Sequence, residues 1–237
     1  MDLYDTLING IDGEPTVSAV IHGLTWTAAE LSDGRFGIAL RNQAATVHRR
    51  FGSLEGLGAR LAAQAVRSWN LEEASEGMAV INAFYNTPAR LAELDAGCGY
   101  DKSCTQGMAT EGAKIALIGH LKLQPDALKG ADKVYIIERE PKSGDYPDPA
   151  CEYILPECGI VIMTASAAIN KTLPRLLKLS ENAKTVVIGP SAPLCPEILQ
   201  HGITRVSGMV VRDIPAFKEW MMTESGNPYP YGDVFMI

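Results

Sequence analysis

The sequence predicts an α/β protein in two parts, a small α+β module followed by a parallel-sheet domain. Three observations carry this reading. Beyond residue 112, short apolar runs rich in strand formers alternate with helical stretches. Before residue 90, a hairpin signal sits among segments whose apolar residues recur every three or four positions. Between Arg90 and Gly112 the periodicity stops, in a stretch that holds four glycines. The division that follows is 1–95 for the first module and 112–237 for the second, with 96–111 as linker.

In the first module, Leu3, Leu7, Ile8 and Ile11 recur at helical spacing and predict a short amphipathic helix that ends at Gly13 and Pro15. Residues 16–31 and 35–42 flank Ser32-Asp33-Gly34, and Asp-Gly between strand formers signals a hairpin, so 16–42 reads as an antiparallel meander. Leu54, Leu57, Leu61, Ala65 and Val66 predict a helix opened near Ser53 and Gly56. A second helix spans 71–85 and stops at Asn86-Thr87-Pro88.

In the second part, strands are predicted at 114–118, 133–138, 160–163, 185–188 and 205–211, with helices near 125–130, 170–180, 195–200 and 214–222. This alternation gives a parallel sheet with crossover helices, a doubly wound Rossmann-like domain. The four consecutive residues Thr185–Ile188 suit a strand covered on both faces, and Gly189-Pro190-Ser191 ends it at once. The tail from Ser225 is Pro-rich and aromatic, and Val234-Phe235-Met236-Ile237 closes it. An exposed apolar end of that kind predicts a contact surface and a homodimer.

Composition narrows the function. The chain is 46% hydrophobic and 21% charged with a net charge of −7, which argues against a nucleic-acid partner. No apolar run reaches membrane-spanning length and the opening residues lack a basic signal region, so a cytoplasmic protein is expected. The five cysteines, at 98, 104, 151, 158 and 195, form no CxxC pair, and free thiols are expected rather than a disulfide framework.

The candidate site lies where the strand ends converge. Gly119-His120 follows the first strand; GHLKLQ there is not a GxGxxG fingerprint, so the common mode of NAD binding is not expected. His120 suits a metal ligand or proton carrier, or a loop histidine bonded to its neighbours. Glu138 lies 19 residues beyond Gly119, where dinucleotide folds place the acid that binds a ribose diol; the alternative is a sheet-edge acid paired with Arg139 or Lys142. Thr164, Ser166, Asn170, Lys171 and Thr172 surround the turn after the third strand, where hydroxyls and N–H groups at a helix start suit an anion, and Asn170 also suits an N-cap. Gly189, Pro190 and Ser191 offer further donors, although Ser191 is not in a GxSxG elbow. Asp145, Asp148, Cys151 and Glu152 form an acidic loop whose thiol, with the carboxylates, could take a transition metal. His22 and His48 have no partner at metal-ligand spacing.

Several of these stretches, in this order, resemble the putative heavy-metal chelation family. They are Gly77–Ala83, Ile118-Gly119-His120, Glu138-Arg139, Ile154-Leu155-Pro156, Asn170-Lys171-Thr172-Leu173 and Gly189-Pro190-Ser191. The resemblance covers nearly the whole chain. It implies an enolase-N-terminal-like domain joined to a Rossmann-like domain, and a role with a metal or metal-containing cofactor, linked to heavy-metal or cobalamin-type metabolism. It supplies no reaction, so whether the chain is an enzyme stays open. Two functions remain. One is binding or processing of a small anionic or metal-chelating ligand at the interdomain cleft; the other is a non-catalytic metallochaperone or scaffold.

Overall fold

The computed structural model describes residues 2–13, 15–44, 46–94 and 103–237, together with the backbone of 97–98. In the first half, α1 (Leu3–Asn9) is opened by a capping box in which Asp2 and Asp5 each accept the other's backbone N–H. β1 (Val17–His22), β2 (Trp26–Leu31) and β3 (Phe36–Leu40) form the antiparallel meander, in the order β1-β2-β3. α2 (Ala59–Ala62) runs into a 3-10 turn, Ala63–Arg67. α3 (Leu71–Tyr85) has the limits that the sequence predicts, with Asn70 as N-cap, and α4 (Pro88–Glu93) follows directly on Thr87.

One helix is shorter than its periodicity implies. Residues 54–57 are not helical, because their backbone pairs with the start of β1: Val17 N–H donates to Leu57 O at 2.9 Å, and Gly56 N–H donates to Val17 O at 2.8 Å. Helix α3 is buried on nearly every side. It touches the meander so closely that a side chain at Gly37 would lie 2.0 Å from the Ala83 nitrogen.

The large sheet collects the remaining strands. They are β4 (Gly97–Cys98), β5 (Lys114–Ile118), β6 (Lys133–Glu138), β7 (Tyr146–Pro147), β8 (Ile160–Thr164), β9 (Lys184–Ile188), β10 (Arg205–Val211) and β11 (Gly232–Met236). Their order is β4-β11-β10-β9-β8-β5-β6-β7, parallel from β10 to β7 and antiparallel at β11 and β4. The connecting helices are α5 (Cys151–Ile154), α6 (Ser166–Ile169), α7 (Leu173–Leu179) and α8 (Ile214–Thr223). Residues 125–130 form turns rather than a helix, and 196–201 form a 3-10 turn. The helix expected over 170–180 is broken at 170–172 into α6 and α7.

The tail departs from expectation. Residues 232–236 are not a free apolar end. They form β11, hydrogen-bonded to β10 on one side and to β4 on the other. The apolar ending is therefore a paired strand and not a free end, with Phe235 and Met236 hydrogen-bonded on both sides. The linker assigned to 96–111 lies in part outside the described residues, at 96 and 99–102. Its later part packs on the sheet: Ser103, Cys104 and Thr105 are buried, and Arg205 donates to the carbonyls of Cys104 and Gln106 at 2.8 and 3.0 Å.

A continuous core joins the halves. Leu7, Met78 and Phe84 of the first share one apolar cluster with Val161, Met163 and Val187 of the second. A separate cluster packs Trp26 and Phe36 of the meander against Met209, Phe217 and Trp220. Among the described residues no helix is long and apolar enough to cross a membrane.

Candidate functional site

Within the parallel part, β5 is flanked by β6 on one side and β8 on the other, so the chain leaves β5 in one direction and returns in the opposite one. Loops at such a switch point part and leave a crevice at the strand carboxyl ends. The structure has a cleft of about 360 Å³ there. Gly119 and His120 after β5, Glu138 and Arg139 after β6, and Thr164 to Thr172 after β8 supply most of its wall. Leu40, the last residue of β3, and Asn42, just beyond it, close it from the first half.

Each predicted side chain can now be placed. Gly119 turns with φ +103, a conformation open to glycine, and its N–H donates to Ile137 O at 3.0 Å. Glu138 holds the turn from below: one carboxylate oxygen accepts His120 N–H at 2.8 Å and the other accepts Arg139 N–H at 3.2 Å. These contacts are to backbone, not to the side chains of Arg139 or Lys142. A carboxylate has roughly four lone-pair directions, so Glu138 keeps acceptor capacity for a ligand.

His120 is partly exposed, and its Nε2 lies 2.7 Å from Asp145 Oδ2. A carboxylate only accepts, so Nε2 carries a proton, and in the neutral imidazole Nδ1 keeps its lone pair. Asp145 also accepts Lys142 N–H at 2.7 Å, and that bond is the main reason its carboxyl is held below the usual range; burial opposes the shift and His120 assists it. A carboxylate that fixes a histidine's tautomer is a common support for a metal-binding imidazole. The sequence pointed to Asp145 only as part of an acidic loop, because its bond to His120 spans 25 positions.

On the β8 side, Thr164 Oγ1 and Ser166 Oγ lie 3.0 Å apart. Asn170 is not an N-cap. Its Oδ1 accepts from Thr172 N–H at 3.1 Å and from Thr172 Oγ1 at 2.6 Å, within the break between α6 and α7. α6 is a single turn, too short to present the aligned dipole on which the anion expectation rested. Lys171 is the one non-glycine residue with positive φ among the described residues, at φ 71. Its side chain does not enter the cleft; Nζ donates to Ile169 O at 2.8 Å and to Val66 O, tying the rim to the first half. Burial pushes this amine down to about 8.

Three more expectations separate from the cleft. Ser191 is buried, its Oγ accepting Leu40 N–H at 2.8 Å and its carbonyl accepting Asn82 Nδ2 at 3.1 Å. It joins the two halves and offers no hydroxyl to a ligand. Gly189 and Pro190 line a neighbouring cavity instead. The acidic loop does not act as one ligand set: Asp145 bonds His120, Asp148 faces the cleft, and Glu152 pairs with Arg175. Cys151 is buried, and burial with the nearby carboxylates of Asp148 and Glu152 pushes its thiol up to about 12.

Cys104, Cys151, Cys158 and Cys195 are free thiols, as expected. In the first half His22 lies 3.1 Å from Glu76, which Arg49 also grips at 2.5 Å. Among the described residues no three His, Cys, Asp or Glu side chains come together in a way that could hold a metal ion. His120 with its single carboxylate support can fill one coordination position.

A meander-and-helix half joined to a doubly wound half, with a polar cleft at the switch point between them, defines the class of α/β protein to which this chain belongs. The sequence comparisons make the class specific. The profile of the DUF364 family, described as putative heavy-metal chelation, matches residues 106–227, and that of DUF4213, with the same description, matches residues 4–85. The chain belongs to this family. A DUF364 protein of unknown function from Desulfitobacterium hafniense DCB-2 is 34% identical, with a TM-score of 0.85 over 99% of this chain and 97% of that one. Another from Pyrococcus horikoshii, 24% identical, shares the fold with a TM-score of 0.79 over 100% and 99% of the two chains. Uncharacterized protein MJ0500 of Methanocaldococcus jannaschii is 30% identical over 159 residues, which span 62% of this chain and 58% of that protein.

Proposed function

We propose that the switch-point cleft binds, or acts on, a small organic chelate that brings its own metal, in the handling of heavy metals or of a metal-containing cofactor of cobalamin type. The observation that carries this is His120, held by Asp145 through Nε2 so that Nδ1 is left as an electron-pair donor beside a polar cleft. One imidazole is too little to hold a bare ion but enough to complete the coordination of a chelate. The charges agree, since Glu138 and Asp148 outnumber Arg139 in the lining and favour a metal complex over a free anion. Asn42, Thr164, Ser166, Asn170 and Thr172 supply the neutral polar groups that would orient the organic part. Handing on a metal through thiols has less support, because Cys104, Cys151, Cys158 and Cys195 are buried and, among the described residues, join no cluster that could hold a metal ion.

The test is calorimetric titration of untagged protein at pH 7.5 with zinc iminodiacetate and with Zn²⁺ alone. The complex should bind more tightly than the free ion, and His120→Ala should weaken it by about tenfold or more, the loss of one coordinate bond. Equal affinity of wild type and His120→Ala for the complex would move the site elsewhere.

A further inference from the structure

Across the Gly119–Leu121 turn from the cleft lies a second cavity, of about 330 Å³. Three distant stretches build it: Trp26 of β2, Ile188 to Pro190 at the end of β9, and Gly226 to Tyr229 ahead of β11. The two spaces share a wall, because His120, Leu121 and Thr164 line both. A ligand coordinated at His120 stands at the wall that the two spaces share.

The chemistry of the two spaces differs. The cleft mixes carboxylates, hydroxyls and amides with aliphatic side chains such as Ile118 and Ile137. The second cavity is walled mainly by Trp26, Leu121, Ile188, Pro190, Pro228 and Tyr229. The indole N–H of Trp26 donates to Gly226 O at 3.0 Å, which satisfies its one polar atom and fixes the ring. Flat aromatic and prolyl faces set around a space of this size suit a flat ring. The cavity also has a cation. Lys122 lines it, is exposed, and has no hydrogen-bond or ion-pair partner among the described residues.

We infer that this cavity receives a planar ring of the same chelate, carrying an acidic group that meets Lys122. The inference rests on the reading of the cleft as a chelate site and adds the class of ligand: a metal chelator built on a flat, acidic, aromatic-sized ring system rather than a small aliphatic acid.

The experiment compares two zinc complexes on untagged protein. One is zinc 8-hydroxyquinoline-5-sulfonate, with a flat ring and an acidic group; the other is zinc iminodiacetate, which has no ring. The ring complex should bind about tenfold or more tightly than the ringless one, the scale expected for burying one ring face. Lys122→Glu and Tyr229→Ala should remove most of that advantage and leave the ringless complex unchanged. Lys122→Glu changes an exposed side chain, so it keeps the test sound if Tyr229→Ala fails to fold. His120→Ala should weaken both complexes. Equal affinities that neither variant moves would overturn the ring cavity and leave the chelate reading standing. Binding of neither complex would overturn both. Ring-complex binding that responds to Lys122→Glu but not to His120→Ala would make the cavity a separate site and overturn the shared ligand.

Discussion

Two turns of the same sheet look alike in sequence and end in opposite roles. After β5 the chain runs Gly119-His120; after β9 it runs Gly189-Pro190-Ser191. Both glycines take positive φ, +103 and +126, and each turn brings a polar side chain to the carboxyl edge. At the first, a carboxylate fixes the backbone and another fixes the imidazole, which stays partly exposed beside a cleft. At the second, Ser191 accepts the N–H of Leu40 and is buried beneath the first half. Neutral amides complete that joint: Asn82 donates to Ile38 O and Ser191 O, while Asn86 donates to Ala192 O and Met209 O and accepts Leu194 N–H. What separates a site from a seam is thus what covers the strand end. β5 lies at the switch point, where the loops part, and the end of β9 lies where the meander and α3 sit down.

The strongest way to break this comparison is to cut the seam. Asn86 is buried and makes three bonds to backbone groups of the second half. Asn86→Ala should cost about 3 kcal/mol or more, since it strands buried carbonyls and an N–H. Urea unfolding measures this. A loss under about 1 kcal/mol would mean that the bonds of Asn86 add little to the shared apolar core in holding the halves together.

Exchanging the two turns' side chains sharpens the contrast. Ser191→Ala should lower stability by about 1 kcal/mol, the value of one hydrogen bond to a partly buried amide, and leave affinity for zinc iminodiacetate unchanged. His120→Ala should do the reverse, with a stability change within about 0.5 kcal/mol and a clear loss of affinity. The two variants, compared by thermal unfolding and calorimetry, should fall on opposite axes. Lost affinity in Ser191→Ala at unchanged stability would restore Ser191 to the site.

This pair also shows how far the sequence could be read. Strands β5, β6 and β10 and helix α3 were legible to within a residue because their signals are local: runs of strand formers, apolar residues at helical spacing, and the stop at Asn86-Thr87-Pro88. The parallel run of the strands followed from their alternation, and it brings Gly119, His120, Glu138 and Thr164 to one edge; their order is a finding of the structure. Burial of a turn by a distant segment has no local signature. Ser191 depends on Leu40, 151 positions away, and Lys171 on Val66, 105 away. Leu40 and Asn42 were missed as cleft residues for the same reason, lying at and just past the end of a strand that otherwise reads as ordinary meander. The tail misled because apolar residues at a chain end read as exposed until a sheet edge is known to receive them.

The finest test of the comparison is acid, because one turn is held by carboxylates and the other by amides that do not titrate. Asp145 is held below the usual carboxylate range by Lys142 N–H first, against the opposing effect of burial, and then by His120. A carboxyl whose folded value is depressed binds protons more readily when the structure opens. Its contribution is therefore fully present above the unfolded Asp value of about 3.9 and disappears as pH falls through the lower folded value. The amides of Asn82 and Asn86 undergo no such change. On acidification from pH 5, hydrogen-exchange protection at Lys142, whose N–H Asp145 accepts, should decline before that at Leu40 and Leu194. Asp145→Asn should lower the protection of Lys142 at pH 5 and remove its further fall with acid. Parallel loss at both turns would mean that acid opens the fold as a whole, and the two strand ends would then differ in covering but not in how firmly they are held.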